Sequence, residues 1–326
     1  MTTLQEWLTK WAGICVSVAG LWYVTNDSAA WANAPAVAPA LPAPTGKVVR
    51  VSTPLQLEYA MRKLTSDTTV ILEKGVYKLN TFVGIKVGVK NIALRGATGN
   101  PADVQIVGKG MTNLPGSVQS CIEVAGTENM TIADLTIRDV HSHLITLTRA
   151  GTGLHVYNCH LLNSGAQFIK GNRYNGVGVS NAVVEYCTFE YTTHAKSDYT
   201  NGIDVHGGTN WVIRHNQFKN IRGPAGTVAG AAILMWNNSK YTIVDGNTFI
   251  NCTRGIDLGL GERSVREGIH DHVGGIICNN VFYRANMGGL PAISVADCPN
   301  PQIYHNTVLM NGTYGTAIEY LSLIHI

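Results

Sequence analysis

Asp204 and His206 stand two residues apart in Asn201-Gly202-Ile203-Asp204-Val205-His206, where apolar and polar residues alternate. In an extended chain that alternation turns Ile203 and Val205 to one face and Asp204 and His206 to the other. A carboxylate and an imidazole side by side can hold and move a proton. The same pattern returns in Ile233-Leu234-Met235-Trp236 and in Ile256-Asp257-Leu258. Taking the residue after each strand's last inward side chain as one column gives Ala125, Thr148, Lys170, His206, Trp236, Gly259 and Ala296, with Asp204, Leu234 and Asp257 in the adjacent outward column. Lys170 or His206 would serve as a base, and Arg254, just before the Ile256 strand, as a cation beside developing negative charge. Asp204 and Asp257 are the alternative, a pair of carboxylates. Each residue also has a plainer reading: solvated sheet carboxylates, a surface histidine or lysine, an Arg254 that only neutralises Asp257, a Trp236 packed beneath a loop. Arg263 would touch a ligand from a loop that also carries His270, Asp271 and His272. Those three lack ligand-type spacing on regular structure, so no metal centre is read; calcium is conceivable but has no motif behind it.

The elements that must hold these side chains repeat. An apolar alternating strand, a polar turn and a second short strand recur, and their anchors Leu135, Cys159, Cys187, Asn216, Asn247, Asn280 and Asn306 follow one another at intervals of 24, 28, 29, 31, 33 and 26 residues, the period of solenoid coils. Ahead of each of most of these anchors lies a second strand, such as Ile122-Glu123-Val124, Ile145-Thr146-Leu147 and Ile293-Ser294-Val295. No helical pattern separates the strands, so units of strand, helix and strand are excluded. What remains is an all-β, right-handed parallel β-helix, its coils about 4.8 Å apart. Asn216, Asn247, Asn280 and Asn306 are expected to stack as an inward ladder, and Cys159 and Cys187 to be small buried thiols of the same column. Thr53-Pro54-Leu55-Gln56 combines a capping residue, Pro at the first helical position and Gln three residues after the cap, predicting a short capping helix over 54–64 that lids the first coil. From the column to the next anchor is 10 or 11 residues in most coils but 17 after Lys170 and 21 after Gly259. Insertions at about 171–179 and 261–273 therefore bracket the strip as a cleft.

Only 14% of the 326 residues are charged while 45% are hydrophobic, and 35 are glycine; that composition argues against disorder and for many turns. A net charge of +3 is too mild for a nucleic-acid binder and suits an acidic ligand. Seven cysteines with no CxxC pair give neither a zinc ribbon nor a thioredoxin-type site. Lys10, the apolar run 11–24 and Ala32-Asn33-Ala34 read as an export signal over 1–34, too short to span a bilayer. The Pro/Ala-rich stretch 35–46 reads as an extended linker, 47–320 as the β-helix domain, and 321–326 as a tail that matches no coil and suggests a reading frame cut short. Secretion or periplasmic residence is the expected location.

Thr69-Val70-Ile71-Leu72-Glu73-Lys74-Gly75-Val76-Tyr77, with Asn91-Ile92-Ala93-Leu94-Arg95-Gly96, resembles the opening coils of pectin-lyase-fold, right-handed β-helix proteins. Asn201 to Gly208 and Arg254 to Gly261 resemble secreted bacterial members of that group. The resemblance covers roughly the whole of 47–320 and implies the fold. It implies several activities, because the superfamily holds polysaccharide lyases, glycoside hydrolases, pectin esterases, epimerases and non-enzymatic adhesins. No complete pectate lyase or polygalacturonase signature is present. A lyase or epimerase acting on a uronate-containing polysaccharide would use Lys170 or His206 with Arg254, and Trp236 would stack on a sugar ring. An inverting hydrolase would use Asp204 and Asp257, whose strands lie two coils apart, roughly 9.6 Å between backbones. A binding protein would need neither. The mixture of Lys, His and Arg favours the lyase on an acidic glycan.

Overall fold

A computed structural model describes residues 37–112, 116–261, 270–285 and 290–321. The export signal and residues 322–326 lie outside the described residues. Each coil contributes one strand to each of three parallel sheets. The first sheet has ten strands, from Lys47–Val51 to Gln302–Tyr304; the second has nine, from Gly75–Lys78 to Thr307–Val308. The third also has nine, from Val83–Ile85 to Ile318–Leu321, and carries Lys170, Asp204, His206, Trp236 and Asp257. Leu321 pairs with Ala296, so this sheet runs one residue past the boundary expected at 320.

Isoleucine fixes the register of the third sheet. Ile145, Ile169, Ile203, Ile233, Ile256 and Ile293 pair in succession and are fully buried. β-Branched side chains fit a pleated surface, and identical shapes repeat from coil to coil without voids. On the second sheet Phe189, Phe218, Phe249 and Phe282 stack with centroids 4.6, 5.0 and 4.6 Å apart. Between the first and second sheets the chain turns through one left-handed residue, among them Asp134 (φ 61°), Asn158 (φ 46°) and Asn279 (φ 55°). Asp and Asn tolerate that conformation better than other residues with a Cβ.

The anchors follow that corner and point inward. Asn216 Nδ2 donates to Asn247 Oδ1 at 2.9 Å, Asn247 to Asn280 at 3.0 Å and Asn280 to Asn306 at 3.0 Å. Each Oδ1 also accepts the backbone N–H of the preceding anchor. Cys187 and Cys159 continue the column, with the Cys159 N–H pointing at Cys187 Sγ. All six described cysteines are free and buried. The capping helix runs Pro54–Arg62, with Thr53 accepting from the Gln56 N–H and Gln56 Oε1 accepting the Ser52 N–H. It ends two residues earlier than the sequence suggests, and it buries Leu57, Ala60 and Met61 against the first coil.

The Pro/Ala-rich stretch, where described, lies on the first sheet. Tyr157 donates its hydroxyl to Pro39 O, and Arg95 Nη1 donates to Pro42 O at 2.8 Å. Among the described residues no helix is long and apolar enough to cross a membrane.

Candidate active site

The third sheet's outward column runs Glu123, Thr146, Lys170, Asp204, Leu234, Asp257, Ser294 and Glu319. Lys170 therefore stands beside Asp204, not in the column of His206 and Trp236. Its strand, Ile169–Gly171, has three residues, and Gly171 takes the inward place filled by Leu147 and Val205 in neighbouring coils. The chain leaves for its insertion from there, at about the place the length comparison implies, and it is the column position of Lys170 that differs. Thr148 is displaced as well: a bulge after Leu147 puts Arg149 opposite Ala125.

The corrected register brings the acid–base groups closer together. Lys170 Nζ donates to Asp204 Oδ2 at 2.5 Å and lies 3.0 Å from His206 Nε2. Trp236 Nε1 donates to Asp204 Oδ1 at 2.9 Å, and its ring meets the imidazole edge-on at 4.5 Å. Trp236 is thus a partner of Asp204 as well as an aromatic surface. Lys170 and Asp204 have side chains 7% and 2% exposed, against 20% for His206. Neither is a solvated sheet charge, and the imidazole is the most accessible of the three.

Asp257 occupies the same column two strands on. Arg254 Nη1 donates to its Oδ2 at 2.9 Å, so Arg254 neutralises Asp257 and keeps 29% of its own side chain exposed. Asp257 Oδ1 is buried without a hydrogen-bond partner. Burial pushes the carboxyl up from 3.8 to about 6, against the pull of Arg254 and with a smaller push from Glu319. Asp204 and Asp257 are held apart by Leu234 and are not in contact through any described hydrogen bond.

The first insertion folds over the site. Tyr174 and Val177 exchange backbone hydrogen bonds around Asn175-Gly176, both at positive φ, making a tight hairpin. Arg173, at its base, donates from Nη1 to Asn237 Oδ1 at 2.7 Å and from Nε to Gly176 O at 3.0 Å. Asn237 Nδ2 lies 3.3 Å from His206 Nδ1. Gly207 makes room: a Cβ there would sit 2.9 Å from Arg173 Cγ, and its φ of +65° favours glycine independently. Neither Arg173 nor Asn237 was among the residues singled out by the sequence.

Arg263 lies outside the described residues. Around the second insertion, Asp271 Oδ2 accepts the N–H groups of Leu260 and Gly261, and Asp297 binds His270 and the Asp271 N–H. His272 is buried between Thr242 and Cys298, and desolvation pulls it down to about 4. These residues anchor the loop's base. Among the described residues no three His, Cys, Asp or Glu side chains converge as a metal would need.

A three-sheet solenoid with a polar strip on one sheet defines a class, and the sequence places the chain in it. Residues 120–325 match the family described as right handed beta helix region, and the chain belongs to that family. Among solved structures it is similar to a GH136 lacto-N-biosidase from Eubacterium ramulus, at 13% identity and a TM-score of 0.55, covering 82% of this chain and 57% of that one. The chain thus spans a little over half of that protein. It is also similar to an alginate lyase from Paenibacillus sp. (13% identity, TM-score 0.43, covering 84% and 99%) and to the rice weevil pectin methyl esterase (10%, 0.49, covering 89% and 94%). At such identities the likeness is one of fold. No curated protein matches the chain in sequence.

Proposed function

We propose that the chain is an exported, carbohydrate-active enzyme that cleaves an acidic, uronate-containing polysaccharide by β-elimination. One observation carries this reading: Lys170 Nζ touches both Asp204 Oδ2 and His206 Nε2 on the outward face of a rigid sheet. His206 takes the proton next to the uronate carboxyl, and those electrons form the carbon–carbon double bond as the glycosidic C–O bond breaks. The leaving oxygen gains a proton from water or from the imidazolium just formed. Lys170 and Arg254 supply positive charge against the intermediate. An epimerase would share the first step and return the proton to the opposite face.

The same geometry disfavours hydrolysis. Both carboxylates are 2% exposed and each is already paired with a cation, whereas a hydrolase needs two that reach the bond. One observation favours that second reading: Asp257, pushed up to about 6, is suited to give a proton near neutral pH. Product analysis separates the two. Purified enzyme acting on a panel of polyuronates should release oligosaccharides with the ultraviolet absorbance of an unsaturated uronate, and His206→Ala should abolish it. Reducing ends without that absorbance would transfer the chemistry to Asp204 and Asp257, and no product from acidic or neutral glycans would leave a binding protein.

A further inference from the structure

We infer that His143 reads a hydroxyl of the sugar whose carboxylate faces Lys170, so that a uronate is recognised by a cation and a neutral imidazole acting on one ring. The inference rests on the reading of the substrate as a uronate and goes beyond it by assigning the site a required free hydroxyl. Strict alternation would turn His143 inward with Ile145. Leu144 and Ile145 are instead both fully buried, so the strand His143–Arg149 bends at its start and leaves His143 and Thr146 facing outward. The register then puts His143 beside Lys170. One coil earlier the equivalent positions are Ser120 and Thr146, which pair with His143 and Lys170 respectively, and their hydroxyl oxygens lie 2.9 Å apart.

The backbone decides which ring nitrogen is on offer. His143 Nδ1 lies 3.2 Å from Gln167 O, and a carbonyl only accepts, so Nδ1 carries the hydrogen and Nε2 keeps the lone pair. Among the described residues no group donates to Nε2. Burial holds the ring below the ordinary histidine value, and Lys170 pushes the same way against the pull of the Gln167 bond and of Asp204. The imidazole is therefore neutral at neutral pH, and its free nitrogen can only accept. Of the groups on a uronate, a hydroxyl has a hydrogen to give and an ionised carboxyl has none; Lys170, which can only donate, suits the carboxyl. His143 is partly exposed, so a sugar reaches it without unfolding the sheet. A hydroxyl closed by an acetyl ester has lost its hydrogen and satisfies neither group.

The test sets His143→Phe against removal of one hydroxyl at a time, in the full chain. Calorimetry measures affinity for the methyl glycosides of glucuronate, galacturonate and mannuronate and for their monodeoxy forms, while NMR follows the His143 ring nitrogens. At least one uronate should shift Nε2. Deleting one particular hydroxyl should weaken that uronate about ten-fold, the scale of one hydrogen bond. His143→Phe should weaken it by a similar factor and make the same deletion costless, because the two changes remove one contact. His143→Gln, whose amide oxygen accepts, should restore part of the affinity. Losses that multiply when both changes are made, no shift of Nε2 with any uronate, or a hydrogen on Nε2 of the unsubstituted chain at neutral pH would overturn the assignment. Coupled binding without an unsaturated product would leave the subsite standing and remove elimination. Unsaturated product with a KM unmoved by His143→Phe would do the reverse.

Discussion

Asp257 carries a charge that the fold has nearly removed from water, and this has a consequence for stability. Its carboxyl is pushed from 3.8 to about 6 by burial, so between those values the folded chain keeps a proton that the unfolded chain has lost. Stability contributed by this residue is full below about pH 4, falls as the pH rises toward 6, and is flat above; across that window the loss amounts to about 3 kcal/mol. Denaturant unfolding of the parent and of Asp257→Asn across pH 4 to 7 should give curves that converge or diverge by roughly that amount. Parallel curves would mean that the carboxyl titrates normally. Asp204, His206, Trp236 and Asp257 were legible in the sequence because strict alternation fixes which side chains leave the sheet. Lys170 was legible as a participant but not in its place, since a three-residue strand ending in Gly171 hides its register. Arg173 and Asn237 gave no signal at all. Their meeting depends on how a hairpin folds back and on a left-handed corner (φ 55° at Asn237), neither of which has a period.

At the scale of elements, the asparagine column holds the corner between the first and second sheets. Asn247 is fully buried; it accepts from the Asn216 N–H and Nδ2 and donates to Ile213 O, Asp245 O and Asn280 Oδ1. Asn247→Leu would strand donors above and acceptors below it, at about 1–3 kcal/mol for each buried group left unpaired. Asn306 lies at the end of the described ladder and is half-buried, so Asn306→Leu should cost less than half as much in urea unfolding. Equal costs would argue that the ladder is a by-product of coil packing. Asn247→Cys should fall between, because Cys187 already receives a backbone N–H through sulfur further along the same column. The coils themselves could be read from the chain because every inward contact is made again by the next coil, which writes Ile, Phe and Asn at repeated intervals. Their corners could not, since Tyr186 and His215 take left-handed positions (φ 56° and 55°) that their residue types do not announce.

For the molecule as a whole, the described part of the Pro/Ala-rich stretch runs along the solenoid axis instead of around it. Pro42 meets Arg95 and Pro39 meets Tyr157, and the strands that carry those partners, Lys90–Gly96 and Thr152–Tyr157, are separated by Glu128–Ala133. Three successive coils are thereby tied by one extended segment. In a solenoid each coil otherwise contacts chiefly its neighbours, so stability is close to a sum of coil and interface contributions and a local loss stays local. Removing residues 1–45 should therefore raise amide hydrogen exchange in those three strands while leaving Ile243–Asp245 and Ile276–Cys278 near their original rates. Tyr157→Phe removes one of the two ties and should give a smaller change in the same three strands, on the order of 1 kcal/mol in their opening free energy. A change spread evenly over all ten strands of the first sheet would show that the coils open as one cooperative unit and that the axial segment is not what couples them. No change anywhere would mean that the segment rests on the sheet without holding it. The proposed site lies on the third sheet, so its proton-transfer geometry should survive the deletion, and uronate binding to the shortened chain checks that separation directly.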